Sequence, residues 1–362
     1  MINTQKERLG GLFGYESSVL FGRARSAIVA LLEVLGADKD FSFIIPSNLS
    51  PVVYIAGRSC GVNILLCPVD SQTGLLSDEV MAEMVRNGGA RGMVMPTYLY
   101  GYYTDYPATI QAAGEKGWFV LENDTMATKV QNKSNPPKLT SGDGLLISFS
   151  DGKAVEAGGG GAILVKDKKL AGELQSRAAS YPVLDSLANQ REHWFLALRL
   201  HLRKGPPGGP SMASLSENTL KLEEKNLKYA FPETLTEPLS IGIDHVWESL
   251  RSRKEKAALW RDKLEGVCGI EFPPLAQPSP WRFICRIPKN RDSVAHALRA
   301  EGIDAGINYP PLTDSFPYLL KNQTHVDADL WASDVINLWL TEDYDEARID
   351  KAISVMRGVL RD

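Results

Sequence analysis

Residues 148–161 read SFSDGKAVEAGGGG, and the fold turns on how this stretch is interpreted. It lies between two apolar runs, Leu145-Leu146-Ile147 and Ala162-Ile163-Leu164-Val165, which read as short buried strands, so Lys153 falls in the loop joining them. Four successive glycines, Gly158 to Gly161, cost conformational entropy that a plain surface turn does not require. Either the backbone here takes unusual dihedrals or something approaches it closely.

The pattern upstream supplies the setting. Helical spacing over 26–35, a strand over 41–45, a helix opening at Pro51, a strand over 62–68 and a helix capped by Ser77 follow in order. A strand over 92–96, a helix over 106–117 and strands over 118–122 and 145–150 continue the alternation. Strands separated by helices at this interval predict an α/β domain with a mostly parallel sheet, with ligands at the carboxyl ends of its strands. Downstream, 184–204 has amphipathic helical spacing and Gly205-Pro206-Pro207-Gly208-Gly209-Pro210 must be loop. Helical pattern resumes over 238–264. A strand over 281–287, a helix over 292–301, a strand over 302–309 and a helix over 344–360 then predict a small α+β domain. The division is expected at 240/241, giving a large domain over 1–240 and a small one over 241–362.

Bulk properties narrow the function. A net charge of -4 gives no general attraction to nucleic acid or anionic membranes, and no apolar run approaches the ~20 residues of a membrane span. The start MINTQKERLGG has no apolar signal core, so a cytoplasmic location is expected. Cys60, Cys67, Cys268 and Cys285 lack metal-type spacing and are read as buried free thiols, and the five histidines form no metal motif.

Three chemistries use a lysine near glycines. A phosphate-binding P-loop needs glycine five residues before Gly152, where Ile147 stands, and Ser or Thr after Lys153, where Ala154 stands. A dinucleotide fingerprint must open a helix, whereas Gly158 to Gly161 lead into a strand. The remaining chemistry is a Schiff-base lysine for pyridoxal phosphate, which needs an amine at a strand end, a helix N-terminus for the phosphate and a carboxylate for the pyridine nitrogen. Lys153, the helix start Ala24-Arg25-Ser26 and the strand end Glu122-Asn123-Asp124 are the candidates, each with a bland reading as solvated lysine, ordinary helix start or turn former.

The chain resembles the DegT/StrS-type sugar aminotransferases, fold type I PLP enzymes, over nearly its whole length. SFSDGKAVEAGGGGAIL is similar to their S-F-x-x-x-K-N-L-x-x-G-E-G-G segment, and GRARSAIVALLEVLG to their phosphate-cup helix. PTYLYGYYTDYPATIQ resembles P-V-H-L-Y-G followed by D-M, FVLENDTMA resembles V-I-E-D-A-A-Q-A, and GIDAGINYPPLTDSFPY resembles the small-domain loop G-I-x-T-x-x-H-Y-P. The resemblance implies that Lys153 binds the cofactor and moves the proton, that Ala24, Arg25, Ser26 and Ser148 hold its phosphate, and that the enzyme is a homodimer passing through pyridoxamine phosphate. It implies an amino-acid donor such as glutamate and a keto-sugar acceptor, with products entering lipopolysaccharide or glycosylated metabolites. An oxidised ulosonic acid or a cyclitol is the alternative acceptor, and a catalytically impaired scaffold the alternative role.

Several positions depart from the family pattern. Asn123 stands where the aspartate that meets the pyridine nitrogen belongs, with Asp124 beside it as the competing candidate. Met126 replaces the usual glutamine. Tyr98 replaces a histidine and reads either as a ring-stacking residue or as a packed core tyrosine.

Overall fold

The computed structural model describes residues 2–102, 104–127, 129–130, 142–183, 190, 224, 226–274, 280–316, 320 and 325–361. The amphipathic segment 184–204 (Gln190 apart) and the glycine-proline loop 205–210 lie outside them.

The large sheet has seven strands: β1 (Ser17–Phe21), β2 (Phe41–Pro46), β3 (Asn63–Cys67), β4 (Arg91–Val94), β5 (Phe119–Asn123), β6 (Gly144–Ser148) and β7 (Gly161–Val165). Their order is β1-β7-β6-β5-β4-β2-β3. Neighbours from β6 through β3 are parallel, while β7 is antiparallel to both β6 and β1. The central strands are buried along their whole length, as expected of strands covered on both faces.

Helices α1 (Ile2–Phe13), α2 (Ala24–Val34), α3 (Pro51–Ser59), α4 (Asp78–Asn87), α5 (Pro107–Lys116) and α6 (Lys168–Ser180) belong to this domain. The start of α4 is set as the sequence predicts, with Ser77 Oγ accepting the Val80 N–H. Asp78 then caps a second helix, since its carboxylate accepts the Ala108 and Thr109 N–H groups at 2.8 Å each. By contrast, the N-cap residue of α2, Arg23, makes no side-chain capping hydrogen bond.

Helices α7 (Thr236–Asp244) and α8 (Val246–Leu264) lead to a three-stranded antiparallel sheet, β8 (Phe283–Arg286), β9 (Ala305–Gly306) and β10 (Val335–Leu338), in the order β8-β10-β9. The helical pattern expected over 238–264 is thus divided at His245. Helices α9 (Arg291–Ala300), α10 (Leu312–Ser315), α11 (Val326–Asp334) and α12 (Glu346–Arg361) complete the domain. Alternation along the strands decides the packing: Phe283, Cys285, Ile336 and Leu338 join the small-domain core, while Ile284 and Val335 join the core that carries the large sheet.

The strand expected over 302–309 shortens to Ala305–Gly306. Beyond it the Asn308 N–H donates to Asn337 Oδ1 and the Tyr309 N–H to the Tyr100 hydroxyl, so side chains take over from the ladder. Of the four cysteines, all free, Cys67 and Cys285 are buried and Cys60 is half-buried. Cys268 corrects the expectation of burial, because it lies exposed just past the end of α8. Among the described residues no helix is long and apolar enough to cross a membrane, and no acidic, histidine and cysteine cluster could hold a metal ion.

Candidate active site

The carboxyl ends of β5 and β6 and the amino end of α2 converge on one cavity of about 280 Å³. Ala24, Arg25, Tyr98, Asn123, Ser148 and Lys153 all line it. They come from α2, β5, β6 and the connections after β4 and β6, and the sheet order is what brings them together: β5 pairs with β6 so that Asn123 stands opposite Leu146, and β6 with β7 so that Ser148 stands opposite Gly161. Such a crevice at strand carboxyl ends is where open α/β sheets bind ligands.

The glycine run serves both purposes that its cost suggests. Gly158 and Gly160 have φ of +72° and +88°, in the left-handed region that favours glycine. Gly159 and Gly161 allow close approach: a Cβ on Gly159 would stand 2.6 Å from Arg23 Nη1, and one on Gly161 would stand 2.6 Å from Ala24 Cα. The β6–β7 loop is therefore laid against the start of α2, whose dipole favours an anion. Ser148 Oγ lies 3.1 Å from Ser150 Oγ, placing two hydroxyls on the same wall.

Two sequence-predicted residues are placed differently. Ser26 does not line the cavity; it is fully buried and its Oγ accepts the Tyr229 N–H at 3.2 Å. Asp124 does not line it either. Strand β5 ends at Asn123, and the Asp124 carboxylate turns into the protein to accept the Lys129 N–H at 2.8 Å. Asn123 faces the cavity, its amide beside Thr97 Oγ1 at 3.5 Å. Tyr98 lines the cavity and is buried, its hydroxyl donating to Glu122 at 2.5 Å.

Lys153 is held by the small domain as well as by its own loop. Its Nζ lies 4.3 Å from the centroid of the Trp281 ring and 3.2 Å from Met126 Sδ. The backbone beneath it is pinned: Arg253 donates to the Gly152 and Lys153 carbonyls at 2.8 and 3.3 Å, and Trp281 Nε1 to the Gly152 carbonyl at 3.1 Å. Desolvation, reinforced by the nearby cations Arg282 and Arg253 and opposed by Asp124, brings the Lys153 pKa down to about 7. Lys153 is half-buried and lines the cavity, where its amine can act as a nucleophile once neutral.

A pH dependence follows with a definite sign. Attachment of an aldehyde to Lys153 is expected to accelerate as pH rises through about 7 and to level off above it, because only the neutral amine attacks. Asp124→Asn removes the charge that favours the ammonium form, so its midpoint moves to lower pH. Stopped-flow absorbance across pH measures both; an unmoved midpoint in the variant would remove Asp124 from the account.

Trp281, Arg282 and Arg253 were not identified as site residues from the sequence. Each belongs to an ordinary strand or helix pattern, and only the packing of the small domain on the Lys153 loop brings them near the amine.

The model of the DegT/DnrJ/EryC1/StrS aminotransferase family matches residues 6–191 and 238–357. No curated protein sequence matches the chain. Among solved structures, DesV from S. venezuelae is 19% identical with a TM-score of 0.75, the match covering 100% of this chain and 89% of that one. The aminotransferase TlmJ from Streptoalloteichus hindustanus is 19% identical with a TM-score of 0.77, covering 99% and 90%. NtdA from Bacillus subtilis, solved with bound cofactor PMP, is 16% identical with a TM-score of 0.73, covering 100% and 77%. At these identities the structural likeness speaks for the fold.

Proposed function

Because the chain belongs to the DegT/DnrJ/EryC1/StrS aminotransferase family, we propose that it moves an amino group from an amino acid, glutamate in the first instance, to a keto-sugar. The observation that carries this reading is the meeting of a low-pKa lysine amine, a helix N-terminus and a strand-end amide in one cavity.

These residues fit pyridoxal 5'-phosphate. The first turn of α2, at Ala24 and Arg25, together with Ser148, would hold the phosphate. Asn123 would face the pyridine nitrogen and Tyr98 would form a wall of the ring site. When bound, the cofactor supplies an aldehyde for amines to join and a conjugated ring that withdraws electrons from the adjoining carbon. Lys153 Nζ would be the amine that holds the cofactor's aldehyde group. The same amine would be the base that takes a proton from the nitrogen-bearing carbon of the donor and gives it back. The second half of the cycle runs the same proton in reverse on the keto-sugar. Asn123 donates or accepts a hydrogen bond but carries no charge, so it does not hold a proton on the pyridine nitrogen as a carboxylate would.

A nucleotide-linked keto-sugar on the way to lipopolysaccharide or a glycosylated metabolite is the acceptor we favour, with an ulosonic acid or cyclitol as the other candidate because the substrate-side positions have diverged most. A cytoplasmic homodimer is the assembly we propose with it, checked by light scattering of the purified protein.

The test begins with colour. Purified protein supplied with PLP is expected to turn yellow and to bleach with glutamate, and a keto-sugar screen should then yield an amino product. Protein that stays colourless with added PLP would sink the proposal and favour the scaffold alternative. Asn123→Asp is expected to shift the absorbance spectrum of the bound cofactor by placing a charge at the ring nitrogen, whereas Asp124→Asn should leave that spectrum in place at a pH well above 7. The reverse pattern would exchange their roles.

A further inference from the structure

Arg253 lies on α8 and is 5% exposed, and its guanidinium is spread over three separate parts of the chain. Nε donates to Ser249 Oγ at 3.2 Å, one turn back on the same helix. Nη1 donates to the Trp281 carbonyl at 3.0 Å, and Nη2 to the carbonyls of Gly152 and Lys153 at 2.8 and 3.3 Å. Trp281 closes the figure, because its Nε1 donates to the same Gly152 carbonyl at 3.1 Å. Its backbone N–H donates in turn to the Tyr100 carbonyl at 3.0 Å. Arg253, Trp281 and Gly152 therefore form a closed ring of hydrogen bonds, anchored to α8 through Ser249 and to the connection after β4 through Tyr100. A guanidinium offers its donors in fixed directions, so a ring built on one holds its acceptors at fixed places.

The residue before Lys153 is shaped to enter this ring. Gly152 has φ of +75°, and a Cβ on it would stand 2.8 Å from Trp339 Cζ3, so both its conformation and its surroundings ask for glycine. Its N–H donates to Glu156 Oε2 at 2.8 Å, which holds the other side of the same residue. The far end of the lysine is held much less firmly. Its Nζ meets a thioether, Met126 Sδ at 3.2 Å, and the face of the Trp281 indole at 4.3 Å. A thioether is a weak acceptor and an aromatic face has no single preferred direction, and four methylenes separate the amine from its main chain. Precision at the amine must therefore come from where the main chain is fixed.

We propose that Arg253 is a positioning residue for Lys153: its guanidinium, locked to Ser249 and Trp281, fixes the Gly152–Lys153 main chain and so the point from which the amine enters the cavity. The inference rests on the aminotransferase reading of the site. Arg253 does not line the cavity that holds Ala24, Asn123 and Ser148, so it acts through the lysine's backbone and not on a bound molecule. An amine that takes a proton from one carbon and gives it back needs a defined starting place, and a displacement of about 1 Å can cost about 10²-fold in rate. Substrate binding makes no such demand on the lysine. Loss of the fork should therefore weaken turnover and leave substrate affinity in place.

Two measurements test this. In the first, PLP-loaded Arg253→Met is expected to lose about 10- to 100-fold in kcat with glutamate, while KM moves by less than roughly 3-fold. Arg253→Lys keeps the charge but offers a point donor in place of the fork, so it should recover only part of the loss. In the second, amide hydrogen exchange is followed on the protein as purified, without cofactor. Exchange is expected to quicken in the segment 150–159 of Arg253→Met and to keep its parental rate elsewhere, whereas general destabilisation would quicken it throughout. If Arg253→Met does not fold, Arg253→Lys carries both measurements, with a partial loss of kcat and a smaller, equally local gain in exchange. A parental kcat, a loss carried by KM, full recovery in Arg253→Lys, or unchanged exchange over 150–159 would each overturn the proposal while leaving the cofactor reading intact. Local loosening of that segment in a protein that never colours with PLP would support the brace and count against the cofactor reading.

Discussion

Lys153→Ala is expected to lower amino transfer by about 10³-fold or more, the largest catalytic effect of any single change in this chain. The residue performs two tasks that nothing else near it can take over. It is the amine in the cavity, with its pKa brought down to about 7, and the nearest atoms to its Nζ are a thioether and an indole, neither of which can carry a proton. Its neighbours Arg253 and Arg282 are guanidinium groups that keep their protons in any working pH range. The variant should still fold, since the loop is fixed through the Gly152 and Lys153 carbonyls rather than through the amine. It should also bind PLP reversibly, because the phosphate wall at α2 is untouched. Borohydride reduction followed by mass spectrometry should fix PLP on the peptide containing Lys153 in the parent and on no peptide in the variant. Small amines such as methylamine should restore part of the activity. A variant with undiminished transfer would mean that another group moves the proton.

Much of this site was legible in the sequence because its parts sit at the ends of regular elements. The run Leu145-Leu146-Ile147 before Lys153 and the glycines after it mark a strand, a loop and a strand whatever the family, and the alternation upstream places the helix start Ala24-Arg25 at the same edge. What the one-dimensional pattern could not resolve was direction. Ser26 and Asp124 each stand one position beyond a residue that lines the cavity, and a single step along a helix or strand end turns a side chain from ligand to core. Helix α1 escaped for a different reason. Gly10 and Gly11 weaken its helical signal, and Gly10 is there because the Tyr15 carbonyl packs where a Cβ would be, at 2.5 Å. Strand β1, an antiparallel edge strand, lay outside the alternating βαβ rhythm.

The buried pair behind the cavity wall sets the largest expected effect on stability. Glu122 is 1% exposed and Lys129 is 5% exposed by side chain, and they form an ion pair. The carboxylate also accepts the Tyr98 hydroxyl at 2.5 Å, the Gly142 N–H at 3.0 Å and the Tyr15 hydroxyl at 3.4 Å. Burial, with the Glu122 charge, holds both tyrosines well above their ordinary pKa, so they remain donors. Lys129→Met deletes the cation paired with Glu122 and leaves that carboxylate buried, for which the expected cost is about 3–5 kcal/mol. Glu122→Leu strands the ammonium instead and should cost a similar amount. The double variant should be more stable than either single one, because it removes both charges together. Denaturant midpoints of the four proteins measure this directly, and a Lys129→Met penalty below about 1 kcal/mol would show the pair to be solvated or dispensable. Glu122 immediately precedes Asn123 and fixes the Tyr98 ring that walls the cavity. Loss of the pair should therefore also weaken PLP retention, and it should do so in Lys129→Met even though Lys129 itself does not line the cavity.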